Sequence, residues 1–146
     1  MDHIKTDITL DFLRISNLLS RYGAKMVADV GLSSIQQWVI LSTISRKGEI
    51  SIGELKKETL VTKQNMTGMV NRLHQSNLVA LAPDPADKRR TIATLTEHGH
   101  QVYEQLKESR YDFNAQAYQI YDDQEIHTLS LLLGRLVEHL KEDDEN

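Results

Sequence analysis

The chain has no cysteine, which removes disulfide frameworks, thiolate nucleophiles, cysteine-based zinc sites and thiol redox sensing at one stroke. It has two prolines and seven glycines in 146 residues, so long helices can run without interruption. Aromatic residues make up 5%, with a single tryptophan, Trp38. No apolar run approaches the roughly 20 residues that cross a bilayer, and Asp2, Lys5 and Asp7 near the start do not make a signal peptide. A cytoplasmic protein without membrane contact is therefore expected. Glycine-rich phosphate loops are missing as well. An enzyme needs a nucleophile with a base or a carboxylate pair in a pocket, and Asp122-Asp123 reads instead as a helix cap, so no enzyme is expected.

The net charge of −4 at first argues against nucleic acid. Its distribution reverses that argument. Residues 33–97 hold nine Lys+Arg against six Asp+Glu, a local net of +3, and the remainder carries −7. Local charge decides whether a surface meets phosphates. The acidic end, Glu142–Asn146, reads as a solvated terminus.

Apolar residues at Ile8, Phe12, Ile15, Leu19, Tyr22 and Met26 recur at helical steps and predict an amphipathic helix from about Thr6 to Asp29, stopped by Gly31. Ser33 or Ser34 caps a second helix through Trp38, Val39, Leu41 and Ile44, up to Arg46. Lys47-Gly48-Glu49 reads as a turn. Ser51 and Glu54 form a capping box for a short third helix. A fourth begins after Thr62, with Met66, Met69, Val70 and Leu73 on one face and Lys63, Gln64, Asn65, Thr67, Gly68 and Asn71 away from it. Asn77 is a suitable left-handed stop.

The period then changes from 3.6 to 2. Leu78–Ala82 and Thr91–Leu95 predict two strands, separated by the charged loop Pro83-Asp84-Pro85-Ala86-Asp87-Lys88-Arg89-Arg90, whose prolines break the first strand. Thr96 opens a long helix to about Tyr121. Asp122 or Asp123 caps a last one, with Ile126, Leu129, Leu132, Leu133, Leu136, Val137 and Leu140 as its apolar stripe.

Two short helices followed by a hairpin with a basic tip make a winged helix-turn-helix. Gln64 and Asn65 suit adenine edges, Lys63 a guanine or phosphate, and Thr67 a thymine methyl. The tip, Lys88-Arg89-Arg90, suits a phosphate or a minor groove. Each feature has a plainer reading: a solvated helix face for Gln64, Asn65 and Asn71, and a solvated loop for the tip. Their succession favours DNA. The alternative is a winged-helix module that binds protein without specific DNA binding; it calls for an apolar or acidic recognition helix and a neutral wing. The leucine stripes at the two ends call for a homodimer, because monomers rarely expose stripes of that size. His98 and His100 diverge on a helix, while His127 and His139 stand alone, so neither metal nor cofactor is expected.

The sequence resembles the multiple-antibiotic-resistance regulator (MarR) family over nearly its whole length. The resemblance is carried by Ser51-Ile52-Gly53-Glu54-Leu55, by Met66–Leu73, by Asn77-Leu78-Val79, and above all by Asp84-Pro85-Ala86-Asp87-Lys88-Arg89-Arg90 followed by Leu95-Thr96-Glu97-His98-Gly99. It implies a mainly α fold with a small β-hairpin wing: a single domain with a DNA-binding lobe at residues 33–96 and dimerisation helices at 6–32 and 97–141. It further implies a repressor at a pseudo-palindromic operator, released by a small molecule. The DNA-contacting set is then Thr62, Lys63, Gln64, Asn65, Thr67, Asn71, Arg72, Asp87, Lys88, Arg89 and Arg90, with Arg89 at the minor groove. The family's effector crevice brings in Tyr22 and Trp38, for both of which a core role stays open. Gly68 departs from the basic residue many members carry there, and Asn77 from the usual glycine.

Overall fold

The computed structural model describes residues 1–59 and 63–144; of Lys63, Gln64 and residues 143–144 only the backbone is described. Its elements run α1 (Asp2–Ala28), α2 (Ile35–Lys47), β1 (Glu49–Ser51), α3 (Ile52–Thr59), α4 (Lys63–Gln75), β2 (Val79–Pro83), β3 (Thr91–Leu95), α5 (Glu97–Tyr118) and α6 (Asp123–Asp144). The chain divides into two units, residues 1–107 and 108–146.

In the first unit, helix ends follow side-chain and backbone chemistry. α1 closes in a Schellman turn: the Leu32 N–H donates to Val27 O and the Gly31 N–H to Ala28 O, both at 3.0 Å, with Gly31 at φ +81°. The same motif ends α4. The Leu78 and Asn77 N–H groups donate to Leu73 O and His74 O at 2.9 Å, and Asn77 takes φ 58°, as expected of a left-handed stop. Ser34 caps α2, its Oγ accepting from the Gln37 N–H at 3.3 Å. Thr96 caps α5 through the Gly99 N–H at 2.9 Å.

The core lies where α2, α3, α4, the sheet and the start of α5 meet. Ile40, Leu41, Ile44, Leu55 and Leu106 are fully buried there, with Met66, Val70, Leu73 and Val102 beside them.

Several expectations need correction. The segment read as the turn Lys47-Gly48-Glu49 leads straight into a strand, so the sheet has three strands in the order β1-β3-β2. β1 pairs antiparallel with β3, Glu49 opposite Thr94 and Ser51 opposite Ile92. A three-residue strand has no period to read; pairing with β3 creates it. The first strand does stop at the prolines, but Pro83 is still its last residue, opposite Thr91, tolerated because β2 is an edge strand. Leu78 belongs to the turn. α1 begins at Asp2 rather than Thr6 and ends at Ala28 rather than Asp29, and α5 ends at Tyr118 rather than Tyr121.

In the second unit, Asp122 rather than Asp123 caps α6. Its Oδ1 accepts from the Glu125 N–H at 2.9 Å, and Glu125 Oε2 accepts from the Asp122 N–H at 3.0 Å. α6 leaves Leu132 and Leu140 55% exposed, while α1, in the first unit, leaves Ile8 48% and Ile15 50% exposed.

Candidate nucleic-acid interface

The two candidate elements, α4 and the wing, belong to the same unit. On α4 the apolar face is buried as its spacing predicts: Met66, Val70 and Leu73 point into the core and Met69 lies half-buried. Asn65, Thr67, Asn71 and Arg72 are exposed. Thr62 lies outside the described residues, as do the side chains of Lys63 and Gln64. The outward face is thus polar and carries no carboxylate.

The wing is built by its aspartates. The Asp84 N–H donates to Arg90 O at 2.9 Å and closes the loop. Asp84 Oδ1 accepts from the Ala86 N–H at 2.9 Å, and Asp87 Oδ1 from the Arg89 N–H at 3.1 Å, two Asx turns in succession. The same Asp87 oxygen accepts from Arg89 Nε at 3.2 Å. Arg89 is anchored at one nitrogen while its side chain stays 92% exposed. The backbone and side-chain bonds from Arg89 hold the Asp87 carboxyl below its ordinary 3.8, with the Arg90 charge adding to this.

Arg90 behaves differently from its neighbours. Its guanidinium turns back to Glu54 Oε1 at 3.5 Å and Asp84 Oδ2 at 3.7 Å. Glu54 is the capping-box residue of α3: its Oε2 accepts from the Ser51 N–H at 3.3 Å and from Ser51 Oγ at 3.0 Å, and its own N–H donates to Ser51 Oγ at 3.2 Å. The bonds from Ser51, with Arg90 and Lys47 nearby, hold Glu54 below its ordinary 4.5. Arg90 therefore ties the wing root to α3. The sequence signalled the capping box but not this tie, because Glu54 and Arg90 stand far apart in the chain and only the sheet brings them together.

A groove of ≈ 440 Å³ separates the two elements, with Thr67 and Asn71 on its α4 side and Arg89, Arg90 and Thr91 on its wing side. Behind it, His74 Nδ1 bonds Val79 O at 2.9 Å, and Thr96 Oγ1 donates to Asn77 O, tying α4 to the sheet and to α5.

The two residues expected at an effector crevice differ. Trp38 packs half-buried against the core, its indole Nε1 enclosed and, among the described residues, without a hydrogen-bond partner. Tyr22 is 63% exposed and is not a core residue of the protomer. Among the described residues no three His, Asp or Glu side chains are grouped to hold a metal, and no helix is long and apolar enough to cross a membrane.

A recognition-type helix between a capped partner helix and a cationic hairpin defines a winged helix-turn-helix protein of the transcriptional-regulator class. Residues 30–90 match the MarR family. The transcriptional activatory protein BadR of Rhodopseudomonas palustris is 31% identical over 137 residues, 89% of this chain and 76% of that one. The HTH-type transcriptional repressor NicR of Pseudomonas putida is 41% identical over 75 residues, 51% of this chain and 47% of its own. A mutant of E. coli MarR complexed with operator DNA superposes with a TM-score of 0.78, covering 89% of this chain and 93% of that one at 24% identity, which speaks for the fold. The chain belongs to the MarR family of transcriptional regulators.

Proposed function

We propose that this regulator binds a pseudo-palindromic double-stranded operator as a homodimer, α4 entering the major groove and the wing reaching the minor groove. The observation that carries the reading is the pairing of a carboxylate-free polar face on α4 with a wing whose Arg89 is anchored yet 92% exposed. Base contacts specify and phosphate contacts position. Thr62, Lys63, Gln64, Asn65, Thr67, Asn71 and Arg72 form the first class, and Lys88 and Arg89, with Asp87 as anchor, the second. Arg90 serves as a brace between the wing and α3. The cationic wing speaks against a module that binds only protein. Residues 33–96 act as the DNA-binding lobe, and 6–32 with 97–141 as dimerisation helices whose exposed leucines and isoleucines need a partner. Two-fold symmetry then sets half-sites about one DNA turn, roughly 34 Å, apart.

The protein acts in the cytoplasm, catalyses no reaction, and represses until a small molecule releases it. NicR is named a repressor, whereas BadR, the relative matched over most of its length, is named activatory, and this favours activation as the second reading. Selection of bound fragments from random and genomic DNA, followed by footprinting, tests the function. An inverted repeat is expected, and absence of any selected sequence refutes it. A promoter fusion with and without the protein decides the sign. Trp38 is the sole tryptophan, so its fluorescence reports a ligand. Aromatic acids that quench it and also release the operator support the effector; quenching and release by none removes that part.

A further inference from the structure

Gly68 stands in the middle of the outward face of α4. A Cβ built there meets nothing but Arg72 Nη2, at 3.5 Å. Gly68 is nevertheless half-buried. What covers it is Arg72, four residues on, whose side chain leans toward the helix N-terminus as helical side chains do. Arg72 Nε donates to Gly68 O at 3.2 Å. Among the described residues no carboxylate pairs with Arg72, and no other partner engages its two Nη groups. The guanidinium is therefore fixed at one nitrogen and presents its fork outward, over a position that has no side chain of its own.

On the reading of α4 as the major-groove helix, we propose that Arg72 reads a guanine in each half-site and that Gly68 is the slot in which its guanidinium lies. A guanidinium fork matches the O6 and N7 acceptors of guanine with two parallel bonds in one plane, whereas a lysine reaches the same acceptors only with a single flexible ammonium. Anchoring through Nε removes rotamer freedom before the DNA arrives, so less order is lost on binding. Any bulky side chain at position 68 displaces the fork. The missing side chain at Gly68 is thus no lost contact: it admits an arginine from the next turn.

The test compares wild type, Arg72→Lys, Arg72→Gln, Gly68→Ala and Gly68→Ile on the selected operator, on every single-base change of a half-site, and across a salt series. Wild type is expected to prefer guanine at one position by about 5- to 150-fold, the range of one good bidentate pair. Arg72→Gln is expected to lose that preference at this one position, and Arg72→Lys to weaken it while keeping the salt slope and the other positions. Gly68→Ala is expected to keep it, since its Cβ makes an ordinary contact. Gly68→Ile is expected to lose it with Arg72 still present, its circular dichroism matching wild type. Arg72 is exposed, so its variants fold. If Arg72→Gln keeps the guanine preference, or weakens all sequences equally and lowers the salt slope, Arg72 does not read a base and the proposal fails while operator binding stands. A Gly68→Ile variant as discriminating as wild type refutes the slot. A wild type without any sequence preference refutes operator recognition itself, and this inference with it.

Discussion

Gly99 and Gly23 look alike in the sequence and differ in what surrounds them. A Cβ at Gly99 would lie 2.0 Å from Leu78 O, a backbone atom fixed in the turn that ends α4. At Gly23 the nearest atom, also at 2.0 Å, is Ile35 Cδ1, the far end of a flexible side chain, with Ile35 Cγ1 at 2.9 Å. Gly99→Ala is therefore expected to cost at least the roughly 1–3 kcal/mol typical of overpacking, and Gly23→Ala less. Urea denaturation of both variants checks this; equal midpoints would mean that the turn yields as easily as Ile35. Asn77 belongs to the same scale. Its φ of 58° suits Asn and Gly, so Asn77→Gly should be close to neutral, while Asn77→Val should lose about 1–2 kcal/mol by denaturation.

The wing is an element set by its carboxylates, and its pH dependence follows from their direction of shift. Asp87 and Glu54 have folded values below their ordinary 3.8 and 4.5. Such groups support the fold above the unfolded value, and that support is lost as pH falls through the folded value. Wing order should thus be unchanged from neutral pH down to about 4.5, weaken below it, and fail as pH falls through the lowered folded values. The Arg89 amide resonance, bonded to Asp87, reports this directly; a midpoint at or above 3.8 would show that Asp87 does not hold it. Arg90→Gln severs the tie between wing and α3. Operator affinity should fall although Arg90 need not touch DNA, and Glu54→Gln should produce the same fall. A charge-removing change at Glu54 that tightens DNA binding instead, as simple electrostatics toward phosphates predicts, would remove the brace.

At the scale of the whole molecule the question is what covers the ends. Leu132 and Leu136 on α6 are 55% and 38% exposed, and Phe12 and Leu19 on α1 are each 37% exposed. Apolar surface is stabilised by roughly 25 cal/mol per Å² on removal from water, which favours association through these faces. Leu132→Asp with Leu136→Asp is expected to turn a dimer into monomer or aggregate in sedimentation, and to weaken binding to a two-half-site operator more than to a single half-site. A wild type that sediments as a monomer at micromolar concentration would remove the dimer and the palindrome together.

Much of this protein follows from local rules acting on adjacent residues. Helical spacing marked the buried face of α4, Met66, Val70 and Leu73. Ser51 with Glu54 announced a capping box, the Asp122-Asp123 pair a helix start without saying which of the two caps it, and the left-handed stops at Gly31 and Asn77 could be read from residue type, because those preferences depend on steric and hydrogen-bonding choices within one turn. Charge counting located the cationic lobe in an acidic chain. The tertiary structure decided what depends on residues far apart in the chain. β1 exists only because β3 lies beside it, Pro83 is tolerated only because β2 became an edge, and Arg90 meets Glu54 only because the sheet carries it there. The Arg72–Gly68 contact joins the two kinds of information. Its four-residue spacing is local, but its outward placement depends on which face of α4 the core consumed, and burial is a property of the folded chain as a whole.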